Sequence, residues 1–180
     1  MVIEKYTPVI DDQRIETASM APRLSTLKNS RIGLLSNGKH TADVLIQMTA
    51  DLFIEDHGGE VVLDLNKGNA SRPCPDDLVD TVVKADVDFM ITAVGDWGSC
   101  STCSVHDGIT FEKFNVPTLT ICTDPFKLTS ESTARTLGLP EFDFALVAHP
   151  IGSRNETELL ERAKHAYQQG VPILLSSETN

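Results

Sequence analysis

The sequence predicts an α/β protein: a single-domain, three-layer sandwich around a doubly wound, mostly parallel sheet of about five strands. Short apolar runs of strand length recur along the chain, and segments with apolar residues at helical spacing separate them. Strands that alternate with helices form parallel sheets covered on both faces. The chain has 180 residues, 41% of them hydrophobic, so it can bury one sizeable core. We expect this domain over residues 31–180, after an extended N-terminal arm, residues 1–30, whose last packed piece is 23–27.

The first half of the domain contains two predicted strands, each followed by a helix. Residues 31–36 form a short apolar run, which predicts the first strand. An amphipathic helix follows, from the N-cap Thr41 to about His57. Residues 61–65 predict the second strand, and after a polar loop the second helix begins at about Asp76.

The central part of the chain continues the alternation. Residues 89–94 are apolar except for Thr92 and predict a buried third strand. A helix is expected from Ser99 to about Phe114, and the threonine-rich run 117–122 predicts the fourth strand. The next helix is expected over 129–137.

The C-terminal part contains the last predicted elements. Residues 144–148 predict the fifth strand. The final helix is expected over 156–169, capped by Asn155 and ended by Gly170. Residues 171–175 contain a proline, so we expect an edge strand there rather than a central one.

Composition excludes several classes of protein. The formal charge of −11 argues against a nucleic-acid surface, which needs clustered Lys and Arg. No segment matches a secretory signal or reaches membrane-spanning length, so we expect a cytoplasmic protein without a membrane partner. Four cysteines in a chain of this length are too few for a disulfide scaffold and suit a reducing compartment. We expect a small-molecule substrate as the partner and leave a homo-oligomer open.

The segment 89–107 carries most of the chemistry. Its apolar strand ends in a turn between Gly95 and Gly98, and Cys100 and Cys103 follow one helical turn apart. A cysteine in the first turn of a helix faces unpaired backbone N–H groups and the positive end of the helix dipole, both of which favour the thiolate. We therefore expect Cys100 to be a nucleophile, with Cys103 as a resolving thiol or as a hydrogen-bond partner.

Further reactive side chains follow the predicted strands, and in such sheets ligands bind at the carboxyl ends of the strands. Arg72 and Lys39 suit a carboxylate, and Asp96 is expected to orient a substrate or to take a proton from Cys100. His149 is a candidate acid or base. The remaining binding candidates at this rim are Asn37, Ser71, Trp97, Ser99 and Thr123.

His106 completes a C-x-x-C-x-x-H run, but no second ligand pair with zinc-like spacing follows, so we expect no metal. His106 is interpreted instead as a general base or as an N–H partner for Asp107, with a solvated histidine as the alternative. Residues 95–98 do not form the G-x-G-x-x-G fingerprint, so neither NAD nor FAD, and no other cofactor, is expected.

The run from Gly95 to Asp107 resembles the signature of the UGSC family of selenoproteins and their cysteine homologues, and more distantly the selenoprotein B component of glycine reductase. The resemblance extends over roughly residues 31–152 through five further segments: 34–39, 70–73, 116–118, 123–126 and 149–152. Trp97 stands where the family has selenocysteine or cysteine. This tryptophan is expected to shield Cys100, to donate its indole N–H to a substrate, or to mark a recoded selenocysteine.

The resemblance implies sulfur or selenium redox chemistry, or the making and breaking of a bond at a carbon that bears a leaving group. Three hypotheses remain open. The first is a thiol-dependent enzyme acting on a small anionic metabolite, with Cys100 as nucleophile or redox thiol and Cys103 as its partner. The second is a cofactor-independent lyase, isomerase or dehydratase that uses Cys100 and a histidine as acid and base. The third is a non-catalytic small-molecule-binding or regulatory protein.

Overall fold

A computed structural model, which describes residues 19–176, confirms the predicted fold class. Five parallel strands form one sheet in the order β2-β1-β3-β4-β5. The strands are β1 (Ser30–Ser36), β2 (Gly59–Asn66), β3 (Phe89–Gly95), β4 (Thr118–Thr123) and β5 (Ala145–Val147). The helices are α1 (Ala42–His57), α2 (Asp76–Lys84), α3 (Gly98–Lys113), α4 (Lys127–Thr136) and α5 (Glu156–Leu174), with a short 3₁₀ turn at Asp124–Phe126.

The helices cover both faces of the sheet, which makes the predicted three layers. Helices α1 and α5 pack against each other on one face, and α3 packs between α2 and α4 on the other. β3 lies at the centre of the sheet, and all seven of its residues are buried. The almost continuous apolar run at 89–94 therefore reflects a strand covered on both faces.

The order of the strands places the chemistry at one rim. From β1 the chain moves outward to β2, and it then returns to place β3 on the other side of β1. In open parallel sheets the crevice at such a switch point, outside the carboxyl ends of the strands, is where ligands bind. The loops after all five strands open at this rim.

The predicted edge strand 171–175 is wrong, and so is the predicted end of the last helix at Gly170. Helix α5 continues through Gly170 and Pro172 to Leu174, and Leu175 forms an isolated β-bridge with Leu24. A Cβ at Gly170 would lie 2.5 Å from Cδ2 of Leu119. This glycine therefore allows α5 to approach the sheet closely, and the fully buried Leu174 extends that packing.

Other boundaries differ by a few residues. β2 begins two residues earlier than predicted, α3 one residue earlier and α4 two residues earlier. Thr41 is the N-cap of α1, but its hydroxyl donates to the carbonyl of Ile151 at 2.9 Å instead of capping the helix. That bond ties the start of α1 to the loop after β5.

Residues 1–18 of the predicted arm lie outside the described part of the chain. The described part of the arm packs on the domain. Leu24 pairs with Leu175, Leu27 is buried, and Arg23 forms an ion pair with the buried Glu112. Within residues 19–176, none of the helices combines the length and the apolar character needed to cross a bilayer.

Candidate active site

The start of α3 is pressed against the end of β3. A Cβ at Gly95 would lie 2.6 Å from the sulfur of Cys122 and 2.9 Å from the Cα atom of Ser101, so only glycine permits this approach. Trp97 is the extended N-cap residue, and its side chain does not cap the helix. The amide groups of the first turn, which includes Cys100, therefore donate no hydrogen bond to an N-cap side chain.

Cys100 and Cys103 lie one turn apart near the start of α3 and are 6% and 8% exposed. The three apolar clusters formed by the described residues include Cys74 and Cys122 but neither Cys100 nor Cys103. The two thiols are thus covered without being part of a packed aliphatic cluster. Burial raises the pKa of Cys103, against the opposing effect of the nearby Lys67 ammonium. All four cysteines are free thiols.

Asp96 is the centre of a polar network that joins the loops after β1, β3 and β5. It is 1% exposed. Its Oδ2 atom accepts from Nζ of Lys39 at 2.8 Å and from the N–H of Gly152 at 3.3 Å, and its Oδ1 atom accepts from the N–H of Ile151 at 3.0 Å. Oδ1 also lies 3.0 Å from Nδ1 of His149. We call Asp96, Lys39, His149 and Thr123 the Asp96 network.

The surroundings of Asp96 keep its carboxylate ionised. Burial alone would raise its pKa, but the hydrogen bonds from Lys39 and from the N–H groups of Ile151 and Gly152 outweigh burial and lower it below the ordinary value. With four donors already around its two oxygens, Asp96 is suited to orienting its neighbours. These contacts are all to groups of the protein, a role that differs from the two expected from the sequence, which were to orient a substrate or to take a proton from Cys100.

His149 has a defined orientation within the network. Besides Asp96, its Nδ1 atom meets the hydroxyl oxygen of Thr123 at 3.2 Å, and that hydroxyl donates its proton to the carbonyl of Gly95. Both neighbours of Nδ1 are therefore acceptors, so in the neutral imidazole Nδ1 carries the proton and Nε2 has the free lone pair. The side chain is 31% exposed, which leaves this imidazole accessible to a small molecule.

Two aromatic rings flank His149. The indole of Trp97 lies edge-on at 6.3 Å between ring centroids, and the ring of Phe126 lies at 5.8 Å. Trp97 is 60% exposed, and Nζ of Lys39 lies 5.5 Å from the centre of its ring. Trp97 thus forms part of the rim between His149 and the first turn of α3, where Cys100 lies.

The loop between β2 and α2 brings two other predicted residues to the start of α3. The hydroxyls of Ser71 and Ser99 lie 3.2 Å apart, so this loop touches the first turn of the helix. The side chain of Arg72, the next residue, is exposed. Asn37 is buried and already engaged, because its amide donates to the carbonyl of Val94 and accepts from the N–H of Lys39. Asn37 therefore braces the loop after β1 against β3.

His106 belongs to different surroundings from His149. It lies two turns along α3, half-buried, with Nδ1 3.4 Å from the hydroxyl of Thr110. Burial lowers its pKa, and the charges that act on it are Asp107, Lys113 and Lys67. None of these belongs to the Asp96 network, so the geometry does not join His106 to His149.

A buried ion pair, Lys67 with Asp107, was missed among the candidates from the sequence. Both side chains are almost fully buried. Nζ of Lys67 also donates to the carbonyl of Arg72 at 2.6 Å, and Asp107 accepts from the N–H of Cys74 at 2.6 Å. Burial raises the pKa of Asp107 despite the Lys67 ammonium beside it. An available signal was that Asp107 recurs at helical spacing after Cys100 and Cys103, on a face that the fold covers.

The described residues 19–176 contain no group of three or more His, Cys, Asp or Glu side chains arranged to hold a metal ion. The reactive groups at this rim are two thiols, an oriented imidazole and two cations, Lys39 and Arg72. Such a set can bind a small anion and transfer protons.

The family model described as the UGSC family matches residues 4–176, nearly the whole chain. No curated protein and no solved structure gives a significant match.

Proposed function

Because this chain belongs to the UGSC family, whose signature includes Cys100, we propose that it is an enzyme that uses Cys100 on a small anionic metabolite. Within that proposal, the geometry best supports a cofactor-independent lyase, isomerase or dehydratase, in which His149 and Cys100 move protons. The supporting observation is the contact between Asp96 and His149, 3.0 Å long, with the carboxylate buried and the imidazole accessible.

The Asp96 network supports His149 as the base. A neutral imidazole with its proton held on Nδ1 presents the lone pair of Nε2 to a substrate, and an ionised carboxylate behind it stabilises the imidazolium that forms. Cys100, on the adjacent first turn of α3, is the second proton-carrying group. In the proposed reaction His149 takes a proton from carbon next to a carboxylate, and Cys100 returns a proton to the substrate or to the leaving group.

The charges around the rim support an anionic substrate. The chain carries a formal charge of −11, which repels anions in general. Arg72 and Lys39 are cations at this rim, with Lys39 paired to Asp96, and the first turn of α3 adds backbone N–H groups that no N-cap side chain engages. A small carboxylate with a proton on the adjacent carbon fits both the charges and the base. We also propose that the protein acts in the cytoplasm, where its thiols stay reduced.

A second candidate function is a thiol oxidoreductase. Cys100 and Cys103 lie one turn apart, and Cys100 is one of the groups that raise the pKa of Cys103. Under this hypothesis, oxidation of the two thiols to a disulfide passes two electrons and two protons to an oxidised substrate. The raised pKa of Cys103 lowers the fraction of its attacking thiolate form, which favours the acid-base hypothesis.

Deuterium incorporation tests the proposal and does not require an identified substrate. The protein is incubated in D₂O with a panel of small hydroxy, oxo and unsaturated carboxylic acids, and exchange at carbon is followed by proton NMR. We expect exchange with wild type and its loss in His149→Gln and Cys100→Ser. The matched control is His165→Gln, which changes an exposed histidine on α5.

Each alternative has its own outcome. Exchange that persists in His149→Gln would overturn the role of His149. Exchange with no acid of the panel, together with a Cys100–Cys103 disulfide formed on incubation with one of the oxo acids, would favour the oxidoreductase. Binding of an acid with neither reaction would favour the non-catalytic binding protein.

A further inference from the structure

The Lys67–Asp107 ion pair is buried beside the proposed site, and the acid-base chemistry does not use it. The two side chains are 0% and 2% exposed. Removing two charges from water is costly, and replacing such a pair with hydrophobic residues often leaves a protein equally stable or more stable. Stability alone is therefore a weak reason for this pair, and its contacts point to another one.

Those contacts fasten a single loop to α3. Nζ of Lys67 donates to the carbonyl of Arg72 at 2.6 Å, and Oδ1 of Asp107 accepts from the N–H of Cys74 at 2.6 Å. The backbone N–H of Lys67 donates to the carbonyl of Ser36 at the end of β1. Residues 67–74, which we call the arginine loop, are thus held near their start, at Arg72 and at their end.

The arginine loop is held against the face of α3 that carries the thiols. Asp107 follows Cys100 and Cys103 at spacings of seven and four residues, which places all three on one stripe of the helix. The loop reaches the first turn of the helix, since the Ser71 hydroxyl lies 3.2 Å from that of Ser99. The exposed side chain of Arg72 therefore extends from a backbone segment that is held near the first turn of α3, which contains Cys100.

We propose that Lys67 and Asp107 are positioning residues, which hold the backbone of Arg72 beside the first turn of α3 so that its guanidinium binds the carboxylate of the substrate. The inference rests on the proposed function, because it assigns the carboxylate subsite of that same site. Lys67 and Asp107 do not touch the substrate themselves. They act through the position of Arg72.

Alkylation of Cys100 by an anionic probe and by a neutral probe tests this proposal. Iodoacetate carries a carboxylate and iodoacetamide is neutral, and with either probe the thiolate sulfur bonds to carbon as iodide leaves. The measured quantity is the ratio of the two rates at Cys100, obtained by mass spectrometry and compared with the same ratio for free cysteine. We expect the wild-type ratio to exceed that of free cysteine, and Arg72→Gln to lower it about three- to tenfold.

The decisive variant replaces both members of the pair, Lys67→Met with Asp107→Leu, so that net charge is unchanged. We expect the ratio to fall as in Arg72→Gln, and we expect Arg72→Gln to have no further effect in this background. The matched control is Lys84→Met with Asp80→Leu, which removes an exposed ion pair on α2 and should leave the ratio unchanged. A purely structural role would not make the effects of Arg72 and the buried pair non-additive.

Should the double variant fail to fold, Lys67→Met with Asp107→Asn keeps an acceptor for the N–H of Cys74, and its ratio should still fall. A wild-type ratio in either folded variant would overturn the inference, and so would a full effect of Arg72→Gln in the variant without the pair. These outcomes are separate from a failure of the proposed function. That failure would appear as deuterium exchange that is absent or independent of His149.

Discussion

Oδ1 of Asp96 lies 3.0 Å from Nδ1 of His149, although 52 residues separate them in the sequence. The contact joins the loop after β3 to the loop after β5, across the end of β4. Thr123, at the end of β4, supplies the second acceptor beside the same imidazole nitrogen. The arrangement of three strand ends therefore determines which nitrogen of His149 is free.

The first prediction concerns the tautomer of His149. Because both neighbours of Nδ1 are acceptors, we expect neutral His149 to carry its proton on Nδ1 in the wild-type protein. In Asp96→Asn the preference should weaken towards the Nε2–H form that free histidine favours. Nitrogen-15 chemical shifts of the imidazole distinguish the two forms, with the exposed His165 as an internal reference. An Nε2–H form in wild type would contradict the network described above.

The second prediction concerns stability and pH. The pKa of Asp96 is lowered in the folded protein, so its contribution is complete above its ordinary value of 3.8 and is lost as pH falls through the folded pKa. We expect Asp96→Asn to lower the free energy of unfolding by about 1.5–3 kcal/mol near neutral pH. The difference between the variant and wild type should then shrink below pH 3.8.

Urea unfolding over this range of pH provides the measurement. Asp80→Asn is the matched control, because Asp80 is 70% exposed and its ion pair with Lys84 lies on the surface. The control should cost little at any pH. A constant difference between Asp96→Asn and wild type down to the lowest pH at which both fold would contradict a lowered pKa at Asp96.

The sequence was sufficient to predict the three layers of the fold and the edge of the sheet at which the candidate residues lie, because the strand patterns are clear. The run 89–94 is apolar at every position except Thr92, which is typical of a strand buried on both faces, and β3 is buried throughout. The last helix could not be bounded in the same way. Gly170 has the appearance of a helix terminator, but it is a point of close packing against Leu119. Only the tertiary contact distinguishes these two uses of glycine.

Part of the candidate site could likewise be predicted from the sequence, and part could not. Asp96, Lys39, Thr123 and His149 could be placed at one rim because each follows a strand of a parallel sheet. Their mutual hydrogen bonds depend on loop conformations that a sequence pattern does not specify. The Lys67–Asp107 pair shows the limit most clearly, since a lysine in a polar loop is ordinarily solvated and this one is fully buried.

The third prediction concerns the order in which the cysteine thiols are alkylated. Burial raises the pKa of Cys74 to about 12 and that of Cys122 to about 11, from an ordinary 9.0. At about pH 8 these thiols hold about a thousandfold and a hundredfold less thiolate than an unperturbed cysteine, so both should label only after unfolding. Under native conditions we expect iodoacetamide to modify Cys100 first. Peptide mapping by mass spectrometry gives the order, and native labelling of Cys122 as fast as that of Cys100 would refute it.

The fourth prediction concerns the glycine that lets α3 begin against β3. In Gly95→Ala the new methyl group would lie 2.9 Å from the Cα atom of Ser101, and a backbone atom cannot move away by rotation of a side chain. The start of α3 must then shift, and Cys100 with it. We expect a loss of about 1–3 kcal/mol in the free energy of unfolding, measured in urea. The rate of alkylation of Cys100 in the folded variant should change as well.

Gly98→Ala is the matched control for this prediction. Gly98 is the first residue of α3, and a Cβ there would meet no atom within 4 Å. Alanine is also the better helix former by about 1 kcal/mol in a helix interior, so the control should be neutral or slightly stabilising. Equal losses in the two variants would indicate a general intolerance of substitution in this turn. A loss of stability confined to Gly95→Ala, together with a changed rate of alkylation at Cys100, would instead indicate that the contact between the end of β3 and the backbone of Ser101 determines the position of Cys100.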